Sequence, residues 1–152
     1  MASAAPRKVL IAMDGSRHSN FAFDYFVNHV WREGDEVLLV HAADHGSLTS
    51  APLFSTDPMF VSKLLNEEET EIKNLMERLE GKLASSGVAG RAVRYSANTP
   101  GEAVVKAARE AGVDLIVTGT RGLGMLRRTI LGSVSQYILH HADVPVLICR
   151  EK

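Results

Sequence analysis

The sequence predicts an α/β fold: a mostly parallel, doubly wound sheet with helices on both faces. Three observations predict it. Short apolar runs of strand character alternate with stretches of helical period, an order that places a helix between successive strands. Two of those runs, Val9 to Met13 and Asp114 to Thr118, are almost continuously apolar, as strands buried on both faces are. The chain has 152 residues, 45% of them apolar and 23% charged, which is one domain's length and a globular mixture.

The elements follow in order. The first strand, Val9 to Met13, leads into Asp14-Gly15-Ser16 and a helix with Ala22, Tyr25, Phe26, His29 and Val30 on one face, capped by Ser16 or Ser19. The second strand is Glu36 to Ala42. Ala43 to Thr56 is long for a loop, which makes it a candidate lid. Asp57-Pro58 then opens a long helix, because Asp accepts from the free N–H groups of a first turn and Pro has none to offer. Its apolar stripe is Val61, Leu64, Leu65, Ile72, Leu75, Met76, Leu79 and Leu83, ending near Gly87; Glu67 to Glu71 reads as its solvated face.

The third strand, Arg91 to Ala97, alternates in polarity and reads as an edge. Thr99-Pro100-Gly101-Glu102 has capping-box spacing and starts a helix that Gly112 stops. The fourth strand is Asp114 to Thr118. A last helix starts near Gly132 or Ser133 and turns Val134, Tyr137, Ile138 and His141 toward the sheet. Pro145 at the head of the fifth strand, Pro145 to Cys149, suits an edge.

Composition excludes several classes of function. Seventeen Lys and Arg against eighteen Asp and Glu leave a net charge of -1, which argues against nucleic acid as the main partner. One cysteine, Cys149, allows no internal disulfide and reads as an inert buried thiol. The apolar runs are far short of the ~20 residues that span a bilayer. Met1 to Lys8 lacks the apolar core of a signal peptide, so a cytoplasmic protein is expected, with residues 1–7 disordered. The six histidines show no metal-ligand spacing; His41 is expected in the core and His140-His141 at a helix end.

In open parallel sheets, ligands bind beyond the carboxyl ends of the strands where the winding reverses. Two segments belong there: Asp14-Gly15-Ser16, and the stretch from Gly119 to Ser133. Gly119 and Gly122 let a backbone turn tightly and approach a ligand closely. Gly132 and Ser133 open a helix whose free N–H groups and positive dipole end suit a phosphate, with Arg121, Arg127 and Arg128 nearby. Asp14 suits ribose hydroxyls or a divalent ion. By themselves, glycines between a strand and a helix serve equally well to make a turn. Neither the Walker pattern nor the dinucleotide fingerprint is present.

The spacing of Gly119, Gly122, Gly132 and Ser133 (Gly, two residues, Gly, nine residues, Gly-Ser) resembles the ATP-binding branch of the universal stress protein family. Val9 to Ser16, Asn98 to Ala103 and Ala142 to Ile148 are similar to the same family, so the resemblance runs from Lys8 to Arg150. It implies a three-layer, Rossmann-like fold of five parallel strands in order 3-2-1-4-5. It implies ATP, or ADP or AMP, as ligand, with Mg2+ in company. Asp14 would lie at the ribose beside Ala12 and Met13, and Val40 and Ala42 at the adenine. Gly119 would lie by the ribose, and Gly122, Gly132, Ser133 and Val134 would hold phosphates, with Ser135 assisting. It implies a homodimer through the last strand, Val144 to Arg150, whose apolar edge would otherwise lie open.

Three functions then compete: a nucleotide-binding regulatory module in stress response, a slow ATPase, and an interaction scaffold with an unidentified protein partner. Fast hydrolysis needs a base or positioned water. With Asp14 at the ribose, the glycine stretch offers no second carboxylate, so the regulatory module is expected. A phosphorylation receiver is set aside because strand one ends in a single acid and no lysine stands between strand five and Glu151.

Overall fold

A computed structural model describes residues 5–43, 57–120 and 131–151. The strands are β1 (Lys8–Ala12), β2 (Glu36–Ala43), β3 (Gly90–Ser96), β4 (Leu115–Thr120) and β5 (Val146–Arg150). The helices are α1 (Arg17–Tyr25), which continues as a π-helical turn (Phe26–Val30), then α2 (Pro58–Ser86), α3 (Pro100–Ala111) and α4 (Ser133–His141). All neighbouring strands pair in parallel, in the order β3-β2-β1-β4-β5. The expected strand order and both expected edges are therefore present. The winding reverses between β1 and β4.

Each face of the sheet has its own core. On one, Val9, Ile11, Leu39 and Val117 pack against Phe23 and Phe26 of α1 and Leu75, Leu79 and Leu83 of α2. On the other, Leu10, Leu38, Val40 and Ile116 pack against Val104 and Ala107 of α3 and Ile138 of α4. The alternation of Val9, Leu10 and Ile11 between the two clusters follows from the period-two geometry of a strand covered on both sides.

The helix starts carry the expected signals. Ser16 caps α1 by accepting from the Ser19 N–H at 3.3 Å, Asp57 caps α2 by accepting from Met59, and Thr99 caps α3 by accepting from Glu102. Gly87 and Gly112 end α2 and α3 in the left-handed conformation, at φ 70° and 63°.

Three packing expectations need correction. The buried face of α1 is Ser19, Ala22, Phe23 and Phe26, while Tyr25 and His29 are exposed and lie ring to ring at 4.7 Å. Both stripes have helical spacing; Phe23, with no polar tip to hydrate, takes the core. In α2 only Leu75, Leu79 and Leu83 are buried, and Val61 and Leu65 are exposed. A helix of 29 residues is about 44 Å long, whereas the 8-residue β2 spans about 26 Å, so the start of α2 runs past the sheet. His141 does not face the sheet: it is exposed and stacks on Tyr137, with ring centroids 3.9 Å apart.

Arg7, placed by the sequence reading in a disordered start, is held by Asp35. Its Nε and Nη2 donate to the two carboxylate oxygens at 3.0 and 2.6 Å, and Nη2 also donates to the Val30 carbonyl. The Asp35 side chain is 2% exposed.

Candidate functional site

The carboxyl ends of β1, β2 and β4 open into a crevice of about 740 Å³, the size of a small-molecule site. It lies at the reversal of winding, where β1 and β4 separate toward helices on opposite faces. Ala12, Met13, Asp14, Val40, Ala42, Gly119, Gly132, Ser133, Val134 and Ser135 all line it. Residues spread across more than 120 positions of sequence thus meet in one place. Gly122, with Arg121, Arg127 and Arg128, lies outside the described residues, as does all of the expected lid segment after Ala43.

Asp14 stands at the end of β1. Its Oδ1 accepts from the Ser16 N–H at 2.8 Å, a local turn that the left-handed Gly15 (φ 81°) permits. Burial pushes the carboxyl up, but hydrogen bonds from Ser16 and Ser19 outweigh it and hold Asp14 below the usual carboxylate range. It is therefore an ionised acceptor at neutral pH. Met13 and Val40 are buried beneath it, joined by a 2.8 Å bond from the Met13 N–H to the Val40 carbonyl.

The opposite wall is the start of α4. Gly132 occupies the cap position, and among the described residues no side chain caps this helix, unlike the other three. The positive dipole end of α4 thus faces the crevice without a capping acceptor from a side chain. Gly132 has φ −61° and ψ 154°, which any residue adopts, and among the described residues a Cβ there would meet only Thr120 Oγ1, at 3.8 Å. Here glycine leaves room.

Gly119 is different. A Cβ at that position would lie 2.3 Å from the carbonyl oxygen of His18, so the glycine lets the first turn of α1 close onto β4. Its carbonyl accepts from the Ser135 hydroxyl at 3.0 Å, which ties the first turn of α4 to the same strand. Gly119 and Ser135 hold the two walls together.

Sequence reasoning missed several lining residues. Thr118 and Thr120 are buried strand hydroxyls, and Thr120 Oγ1 accepts from the Gly132 N–H at 3.4 Å. Their signal was polarity at the end of an otherwise apolar strand. His41 is half-buried and lines the crevice instead of entering the core; its Nδ1 lies 3.2 Å from the Met13 carbonyl, so Nδ1 is the protonated nitrogen of that bond. Glu68 and Glu71 also line the crevice, because α2 overhangs it, while Glu69 pairs with Arg94 outside.

The universal stress protein family profile matches residues 6–150, almost the whole described chain. This chain belongs to the universal stress protein family. Universal stress protein YxiE of Bacillus subtilis is 32% identical over 146 residues, covering 94% of this chain and 98% of that protein. Universal stress protein MJ0577 of Methanocaldococcus jannaschii is 27% identical over 156 residues, 96% of each. A crystal structure of MJ0577 superposes with a TM-score of 0.75 over 98% of this chain and 99% of that one. An Arabidopsis thaliana universal stress protein with AMP bound superposes at a TM-score of 0.71, covering 97% and 93%. A universal stress protein in complex with cAMP does so at 0.68, covering 96% and 98%; both are 20% identical and speak for the fold. In this universal stress protein, then, the family's fold brings Gly119, Gly132 and Ser133 together with the end of β1 at one crevice.

Proposed function

We propose that this universal stress protein is an adenine-nucleotide-binding regulatory module acting in the stress response, with ATP as the ligand. One observation carries the reading: an ionised acceptor, Asp14, and an uncapped helix start, α4, face each other across a crevice at the winding reversal. The acceptor matches a ribose diol. The helix start matches a phosphate. Val40 and Ala42 at the end of β2 offer an apolar wall for a base. Two proteins of this fold hold AMP and cAMP, which supports an adenylate here.

Mg2+ would accompany the phosphates, with the Asp14 carboxylate at the crevice as its candidate protein ligand. The chain works, on this reading, as a cytoplasmic homodimer. No helix among the described residues is long and apolar enough to cross a membrane. Regulation follows from binding alone, by a shift in population between loaded and empty forms.

The test is calorimetric titration of ATP into wild type and Gly132→Val. Because the described residues leave room for a Cβ at 132, the variant should fold, which a thermal melt checks, while its affinity falls by roughly a hundredfold. Equal affinities would show that the start of α4 does not hold the ligand. Absence of binding heat in wild type at several temperatures would end the nucleotide reading and favour an interaction scaffold.

A further inference from the structure

We infer that Arg17 is a switchable clamp for the polyphosphate tail of the ligand, held in reserve by Glu151. The inference rests on the nucleotide reading of the crevice and names which nucleotides that crevice prefers.

The first observation is an imbalance of charge. Among the described residues that line the crevice, Asp14, Glu68 and Glu71 are acids and none is Lys or Arg. A triphosphate adds several negative charges to that set. The dipole of α4 contributes only about half a charge. A cation at the rim would offset part of that charge.

The second observation is where a cation stands. Arg17 lies between Ser16 and His18, both of which line the crevice. The carbonyl of His18, the next residue, lies close against Gly119, so the first turn of α1 abuts the end of β4. Arg17 is the first residue of α1, and that turn contains no acid. A cation at the positive end of a helix is disfavoured, so its presence calls for a partner.

The third observation is that partner. Glu151, beyond the end of β5, accepts from Arg17 Nε at 3.0 Å and from Nη2 at 2.7 Å, a two-pronged pair. The guanidinium side chain is 80% exposed, and ion pairs this open contribute little and exchange readily. Phosphate offers the same forked acceptor geometry with more charge. Glu151 therefore holds Arg17 in place when the crevice is empty and yields it to a β- or γ-phosphate. AMP, too short to reach, leaves the pair intact.

The experiment is titration of AMP and of ATP, separately, into wild type, Arg17→Gln, Arg17→Lys and Glu151→Gln, with thermal melts to confirm folding. Arg17→Gln should weaken ATP about tenfold and AMP less than about twofold, with Arg17→Lys in between. Glu151→Gln should tighten ATP by about two- to fivefold by removing the competitor. Equal changes for AMP and ATP, or none for either, would overturn the clamp while leaving the nucleotide site standing. If wild type takes up neither nucleotide, the reading of the crevice fails and the clamp with it.

Discussion

Gly119 and Gly132 belong to one sequence pattern but answer to different forces. At 119 an added methyl would strike a main-chain carbonyl, which can move only if α1 lifts from β4. Overpacking of that kind costs about 1–3 kcal/mol. At 132 the same methyl would make only an ordinary contact with Thr120 Oγ1 among the described residues, and the backbone angles suit alanine. Gly119→Ala should therefore lower the midpoint of urea denaturation clearly, and Gly132→Ala should leave it within about 0.5 kcal/mol of wild type. Similar losses from both would mean that glycine serves backbone packing throughout the pattern. A motif read from spacing alone merges these roles, because spacing records where a side chain is forbidden and not what forbids it. Thr120 was illegible for a related reason: a hydroxyl on a strand announces its partner only once Gly132 has been folded back to it across 12 positions.

At the level of elements, local signals were the readable ones. Caps at Asp57 and Thr99, the cap at Ser16 (one of two serines offered), and stops at Gly87 and Gly112 act over two to four residues and were legible. What could not be read depends on long-range geometry: the overhang of α2, which brings Glu68 and Glu71 to the crevice, and the Arg7–Asp35 pair, 28 residues apart. That pair fastens the start of β1 to the loop before β2. Burial raises the Asp35 carboxyl, yet the Arg7 side chain and the Arg32 N–H, which donates at 2.9 Å, together hold it below the usual range. A carboxyl lowered on folding stabilises above its unfolded pKa, near 3.9, and loses that contribution as pH falls through the folded value. Asp35→Ala leaves a part-buried guanidinium without its partner and should cost about 3–5 kcal/mol at pH 7. Its deficit relative to wild type should shrink as pH drops below about 4, measured by urea denaturation. A deficit independent of pH would show that packing, and not charge, fastens the chain there.

At the scale of the whole molecule, the sheet has two edges, and the chain treats them differently. On β3 the Ala92 N–H donates to Glu80 of α2 at 3.1 Å, while Arg91 and Arg94 add charge, so a helix side chain blocks that edge. β5 carries Val146, Leu147 and Ile148, each half-buried at most, and among the described residues none of these three has a comparable cover. An apolar strand left open in this way invites pairing, and a two-fold axis lets a second copy satisfy both edges at once. The order of the strands, legible only through family resemblance, is what makes β5 an edge and so gives this argument its force. The Pro145 carbonyl accepts from the Ile116 N–H, so by alternation Val146 and Ile148 direct their backbone groups away from β4. Ile148→Pro therefore removes an outward N–H without taking a bond from the β4–β5 ladder. Sedimentation should find wild type at twice the chain mass and Ile148→Pro at the chain mass, with the far-ultraviolet circular dichroism of the two alike. A wild type that sediments as a monomer at every concentration would mean that the open edge of β5 meets a different partner.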